Sequence, residues 1–548
     1  TVSVLYWGHG RRPDRAAFAM PRNRKAKAQA IAAEEAADAP EAAAPAAPPA
    51  PPAEPPMTLV LRTKEDVQFR RVQCTKEGYD ASALVGDKIA GGDFSECEPA
   101  FSPDASLLAC SNGKQVLLLS TATAAPVAVI EEPGTTEVLF SPSGAMLVTY
   151  RMQDAKNASE GNMAVWKLTP GTAPGYSLLL RCGQSTWPAV WWTRDEAHFV
   201  RRAQGHLMQV HDGSLEKKDA IATVDLQTPR GKDPHFSAAQ SDLPFMAVFV
   251  PQIKNAMGYC KVFRLPNVKD EMLSRTFGNA ADATLSWSPH LNALLVLWFT
   301  EGDKSGGSYY GRSSLTVMSV KDRECYNVVL GKDDGIHGCA WAPNADEFIV
   351  VHGTMPNNKA TLFNSKAQPI YKFGEAPRNY VTWSPDGRMF ILGGNGNLAG
   401  DTQFYIREDV GKKGDGKLGF FSEKTSVTRW TPDSRAVISA NVFSKLRLDN
   451  KITFWKHTGE KSYHEKFPQL FTCEFVPVPP KQFRHRAPSP VVQSQQASKP
   501  TAYRAPGAPS AAAAMLARSR PTTATGSAPK PAGPVGAAVV VEKKKKKR

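Results

Sequence analysis

The chain has 548 residues, 42% of them hydrophobic, which is ample for a large core. Its longest apolar runs, such as Ala293 to Phe299, fall far short of the ~18 residues of a membrane-spanning helix. The net charge of +15 does not describe a uniformly basic protein, because residues 57–480 hold 46 Lys and Arg against 45 Asp and Glu, whereas residues 481–548 hold 14 against 1.

Residues 1–56 open with a short basic segment, Arg22 to Lys27, and continue as Ala/Pro/Glu low complexity. Such composition offers few apolar anchors to offset ordering entropy, so a disordered arm is expected. A transit peptide is the alternative for an Arg- and Ala-rich start, and Glu34, Glu35 and Asp38 argue against it. The eight cysteines include no Cys-x-x-Cys pair, and reduced thiols are the simplest reading.

From Met57 onward the pattern is one of short strands and turns. One signature recurs: an aromatic residue, a turn and a new apolar run. Its clearest copy is Trp383-Ser384-Pro385-Asp386-Gly387-Arg388, followed by Met389 to Leu392. Pro at the second turn position with Asp-Gly after it suits a type I turn between antiparallel strands. The anchors are Phe101, Phe140, Trp192, Phe236, Trp287, Trp341, Trp383, Trp430 and Phe475, spaced by 39 to 54 residues. Four-stranded propeller blades recur at about 40–45 residues, lengthened by loop insertions. The expected fold is therefore all-β, a WD40-like β-propeller of about nine blades over 57–480. A strand borrowed from the other terminus would close the ring and leaves eight blades open as an alternative. Residues 481–548, rich in Pro, Ala, Ser and Gln and ending in Lys543, Lys544, Lys545, Lys546, Lys547 and Arg548, are expected to be a disordered basic tail. Its cations suit RNA phosphates.

Catalytic and cofactor signatures are sparse. Gly394-Asn395-Gly396-Asn397-Leu398-Ala399 matches a dinucleotide fingerprint, but Gly400 to Tyr405 reads as turn and strand where that site needs a helix. No phosphate-binding loop of the G-x-x-x-x-G-K-[ST] type and no G-x-S-x-G elbow occurs. His198, His206 and His211 cluster without a convincing set of further ligands. The expectation is a protein that is not an enzyme, with no catalytic residue, cofactor or metal. Candidate contacts are instead Tyr309 and Tyr310 in a Gly-rich loop, which could stack on a base or fold onto the blade edge, and the cations Arg378, Lys445 and Arg447, with Lys451 nearby.

These stretches resemble the eukaryotic translation initiation factor 2A family. The likeness rests on Gly306 to Gly311, on Gly374 to Asn379 leading into Trp383 to Gly387, and on Gly393 to Gly400. It continues through Lys445 to Asn450 running into Thr453 to Gly459, and in Thr501 to Arg504. The resemblance implies a nine-bladed propeller with a long C-terminal extension, and binding to the small ribosomal subunit, mRNA and initiator Met-tRNA without a GTPase of its own. It implies a cytoplasmic monomer, working among other initiation factors and away from membranes. A propeller scaffold for protein assembly with no direct RNA role is the competing expectation. The propeller subunit of initiation factor 3 is a further relative, but it carries an RNA-recognition domain where this chain has about 56 low-complexity residues.

Overall fold

The computed structural model describes residues 54–488, apart from 76–77, 154–159, 170–174, 205, 218, 227–236, 241–242, 255, 290–292, 301–311 and 332–333. Nine antiparallel sheets follow one another around a ring, eight of four strands and one of five. We number the blades from the N-terminus and call their strands a to d from the centre outward. Blade 1 joins Leu470–Phe475 as strand a to Met57–Thr63, Asp66–Cys74 and Tyr79–Leu84 as strands b to d, with Ile89–Ala90 as a short fifth strand. Blades 2 to 9 span 100–130, 137–182, 190–225, 237–277, 280–327, 335–377, 380–422 and 427–466. Helix among the described residues is limited to two three-residue 3-10 turns, Arg407–Asp409 and Pro480–Gln482.

The ring has nine blades, and the ninth anchor explains the count. Phe475 ends the strand that pairs with Met57–Thr63, in the register Leu59↔Phe475 and Leu61↔Cys473. The last aromatic turn therefore supplies the inner strand of the first blade. Arg62 pins this seam from inside. Its guanidinium donates to Thr472 Oγ1 at 2.7 and 3.0 Å, to the Phe94 carbonyl, and to Glu98 at 3.0 Å.

Period-two patterning gives every blade two apolar faces, and nine buried clusters fill the nine spaces between neighbours. Along strand b of blade 6, Leu294 and Val296 pack with blade 5, while Ala293 and Leu295 pack with blade 7. Phe454 and Ile452 of blade 9 pack with Leu59 and Leu61 of blade 1 across the seam. Each blade thus buries both faces only when both neighbours are present.

The anchors do more than fill space. Trp341, Trp383 and Trp430 are 9, 8 and 7% exposed. Each indole N–H reaches back to the preceding blade, donating to the carbonyls of Ser286, Ala340 and Thr382 at 3.1, 3.3 and 3.3 Å. Each acceptor immediately precedes the previous anchor, so the bonds form a ladder from blade 9 to blade 6. Trp287, an anchor of the same series, is only partly buried. The turn after Trp383 closes with the Gly387 N–H donating to the Ser384 carbonyl at 2.8 Å, the type I bond, with Gly387 at φ +70°, and the same closure follows Phe101, Phe140, Trp192 and Trp430. A Cβ there would meet the Asn344 side chain of the neighbouring turn at 2.3 Å, so a larger residue would have to displace it; Ala105, Glu196 and Ser434 take the same position at positive φ in other blades.

A second recurrent element escaped the sequence reading. The residue after the anchor is a buried Ser or Thr at 102, 141, 193, 288, 384 and 431. Its hydroxyl accepts the amide N–H five residues on, at 2.9 to 3.3 Å, stapling strand a to strand b.

Trp383→Ala removes a buried indole and its hydrogen bond to the Ala340 carbonyl, so it is expected to cost roughly 3–5 kcal/mol. Half-buried Trp287→Ala should cost clearly less. Urea midpoints of the two variants test this ordering, and equal losses would show that exposure at the anchor does not set its contribution.

Candidate docking face

Because strand a is innermost in every blade, the a–b and c–d turns lie at one rim and the b–c loops and d–a connectors at the other. Hydrogen bonds between neighbouring turns confirm the first rim. Asn344 Nδ2 donates to the Asp386 carbonyl at 3.1 Å, the Asp386 amide donates to Ser434 Oγ at 3.1 Å, and the Tyr79 hydroxyl donates to Asp433 Oδ2 at 2.7 Å. Both described ends of the chain leave on this anchor rim. Glu54 takes bonds from Arg435 and Arg484, Arg435 also donates to the Arg484 carbonyl, and Arg388 donates to the Arg486 carbonyl. Phe483 packs against the cluster between blades 9 and 1. The ordered strap therefore runs past 480, to Pro488.

The opposite rim holds the described candidates Arg378, Lys445 and Arg447. Tyr309 and Tyr310 belong to the b–c connection of blade 6 and lie outside the described residues. The ends of that connection are fastened by the Thr300 amide, which donates to the Arg312 carbonyl at 2.9 Å. Gly393 to Gly400 forms the b–c loop of blade 8, and strand Asp401–Ile406 follows where a dinucleotide site would place a helix. Gly400, at φ +95°, sits so close to the Glu423 carbonyl that a Cβ would meet it at 2.2 Å. Asn379 Nδ2 holds the same loop through the Asn395 carbonyl at 3.0 Å. The glycines and asparagines of this stretch serve close packing of the loop on its connectors.

Arg378 departs from expectation. It is 3% exposed in the connector between blades 7 and 8, and its Nε donates to the Asn358 carbonyl at 3.3 Å. Burial lowers its pKa from the usual arginine value, opposed by the neighbouring Tyr405 hydroxyl. A guanidinium so enclosed is a structural cross-link and offers nothing to a phosphate. Lys451 is likewise occupied, paired with Asp449 at 2.7 Å and Glu423 at 3.1 Å. Lys445 and Arg447 do reach solvent, in the 442–450 loop of blade 9, and neither takes part in an ion pair among the described residues.

A cavity of about 380 Å³ lies beside blade 7 and is lined by Asp334, His352, Lys359, Thr361 and Lys372 together with Leu330, Phe363 and Phe373. Asp334 Oδ2 bonds His352 Nδ1 at 2.9 Å and His352 Nε2 meets Thr361 Oγ1 at 3.0 Å. Both imidazole nitrogens are engaged, which ties the connector before blade 7 to its strands b and c. Burial lowers the His352 pKa even beside the carboxylate. Of the three clustered histidines, His211 is buried in strand c of blade 4 and His198 opens strand b. No group of side chains that could hold a metal occurs among the described residues.

The profile of the family described as "Eukaryotic translation initiation factor eIF2A" matches residues 275–473. A "Eukaryotic translation initiation factor 2A" of Dictyostelium discoideum is 30% identical over 416 residues, covering 75% of this chain and 66% of the relative. The Drosophila melanogaster protein of that name is 29% identical, covering 75% and 64%. The chain thus spans about two thirds of the length of these curated relatives. A solved structure described as a "eukaryotic initiation factor" superposes with a TM-score of 0.64 at 24% identity, covering 78% of this chain and 99% of that one, and so shares the fold.

Arg378→Ala should lower stability by roughly 1–3 kcal/mol, because it strips a buried carbonyl of its donor. Lys445→Ala and Arg447→Ala should leave the melting temperature unchanged. For His352, a folded-state pKa below the unfolded value means that the unfolded chain takes up the proton first. Stability should then be lost as pH falls through about 6.5. Denaturant midpoints measured across that range should fall less steeply in His352→Gln than in wild type.

Proposed function

The chain belongs to the eukaryotic translation initiation factor 2A family, and from that premise we propose that it is a non-enzymatic initiation factor. It binds the small ribosomal subunit through its b–c rim and promotes recruitment of initiator Met-tRNA and mRNA without hydrolysing GTP. It works in the cytoplasm with other initiation factors. The single observation that carries the reading is the shared location of four of the family-like segments, while the anchor turn Trp383 to Gly387 and the c–d turn ending at Gly459 lie at the other rim. The connection ending at Arg312, the connector at Arg378 and Asn379, the loop Gly393 to Gly400 and the loop that holds Lys445 to Asn450 all fall at one rim. They come from blades 6 to 9, adjacent members of the ring, and are positioned by the backbone hydrogen bonds described above.

Charge divides the labour. The ring from 57 to 480 has 46 cations against 45 anions, so bulk electrostatics gives it little hold on RNA. Residues 489–548 carry 11 Lys and Arg against one acid, Glu542. We assign the sequence-independent grip on tRNA and mRNA to this segment, with Lys543 to Arg548 at its tip, and shape-specific docking to the ring. The near-neutral ring also favours the second reading, a protein scaffold with no RNA role.

Deleting residues 489–548 leaves the packed strap intact and separates the two readings. For single-stranded RNA, log affinity falls by about 0.7 per phosphate contact for each unit of log salt. The deletion is expected to weaken RNA binding and flatten that slope, while cosedimentation with purified small ribosomal subunits survives in part. Equal slopes for the two proteins would contradict the role given to the tail. Absence of cosedimentation by the full chain would contradict the proposed function.

A further inference from the structure

The 442–450 loop of blade 9 is built to hold its shape. The Val442 carbonyl accepts the amides of Lys445 and Leu446 at 3.1 and 2.8 Å. Asn450 Nδ2 donates to the Leu446 carbonyl at 2.7 Å and Asn441 Nδ2 to the Asp449 carbonyl at 3.3 Å. Asp449, at φ +51°, is clasped by Lys451 at 2.7 Å and Lys466 at 3.5 Å. At the base, the Phe443 amide donates to the Leu470 carbonyl of blade 1. What this scaffold presents is unusual for a solvated loop: Leu448 is 76% exposed and Leu446 39%, alternating with Lys445 and Arg447. Two leucines held out in water gain only if a partner covers them.

The chemistry of the loop selects the kind of partner. A single-stranded base would need a free aromatic face or guanidinium plane to stack on. Phe443 and Phe471 pack with ring centroids 5.3 Å apart and planes tilted by 47°, with the Arg447 guanidinium 5.9 Å from one ring centroid and Arg62 5.6 Å from the other. The protein's own arginines thus occupy the aromatic surfaces a base would use. Carboxylates surround the spot: Glu98 and Glu474 line a small recess of about 180 Å³ with Lys445, and Asp449 lies at the loop's end. Each is already matched, Glu98 by Arg62, Glu474 by Arg429 and Asp449 by Lys451. The surplus is two unpaired cations beside two exposed leucines. That is the complement of an acidic protein segment bearing apolar side chains, and a poor complement of a phosphate chain. Met355, Met257 and Met152, also exposed in b–c loops, continue the apolar character around the same rim.

We propose that the 442–450 loop is a protein-docking site, taking an acidic, apolar-bearing protein segment of the small ribosomal subunit, and is not an RNA contact. The partner's identity as a subunit protein rests on the function proposed above. The surface chemistry adds that Leu446 and Leu448 anchor it and that Lys445 and Arg447 steer it.

The test uses the full chain and purified small ribosomal subunits. A photoreactive p-benzoylphenylalanine at position 448 should yield an adduct that protease digests and ribonuclease leaves intact. The double variant Leu446→Ser/Leu448→Ser should bind the subunit about 10-fold or more weakly at an unchanged salt slope, because it loses apolar burial and no charge. Lys445→Glu/Arg447→Glu should weaken binding and flatten the slope. Adducts to ribosomal RNA would overturn the proposal, as would wild-type affinity in the double leucine variant. Either result leaves the proposed function standing. Failure of the unmodified protein to cosediment with subunits overturns both.

Discussion

Ring closure by the pairing of Leu470–Phe475 with Met57–Thr63 is the constraint on which the rest of the structure depends. Every blade shares its two buried faces with neighbours, so an open ring would leave two apolar faces in water at its ends. The seam removes those ends and makes the first and last segments of the ring one sheet. The Arg62 guanidinium, enclosed at this joint, reaches Thr472 on one strand and Phe94 and Glu98 in the connector to blade 2. Burying a cation is tolerable there because its donors are met.

Closure also fixes what the two rims can do. The anchor rim is committed to structure: turn bonds neighbouring turn from blade 7 through blade 9 to blade 1, and both chain ends are strapped across it through Arg388, Arg435 and Glu54. The b–c rim is held from beneath, by asparagines and connectors, and keeps its loop tips free. Exposed apolar side chains at Met152, Met257, Met355, Leu446 and Leu448 accumulate on that side. A rigid ring with one sewn face and one presenting face suits a protein whose work is to be recognised.

Much of the architecture was legible in the sequence because the aromatic anchor is a local signal with a long-range cause. Each of the eight described anchors ends an inner strand and packs between blades, so their recurrence counts blades, and Phe475 marked the ninth sheet; Phe236, one place before Ser237–Gln240, lies outside the described residues. The exceptions are residues whose partners lie far along the chain. Arg378 reads as a surface cation until Asn358 and Tyr405 close over it, and Lys451 until Asp449 and Glu423 pair with it. The strap from 481 to 488 reads as tail because Glu54, more than four hundred residues earlier, is what holds it. The stapling hydroxyl was visible as Ser or Thr after the anchor, but the aromatic and the proline beside it drew the reading toward the turn. Trp287 matched the pattern by letter and is half-exposed, since spacing alone cannot report how fully a neighbour covers a ring. Tyr309, Tyr310 and Lys543 to Arg548 lie outside the described residues.

The central claim is that this ring meets the small ribosomal subunit with its b–c rim. Hydrogen–deuterium exchange of the full chain, with and without purified small ribosomal subunits, tests it directly. The account predicts slowed exchange in the loops 394–400 and 442–450 and unchanged exchange in the anchor turns at 384–387 and 431–434. Protection confined to the anchor turns, with the b–c loops exchanging as in the free protein, would contradict it.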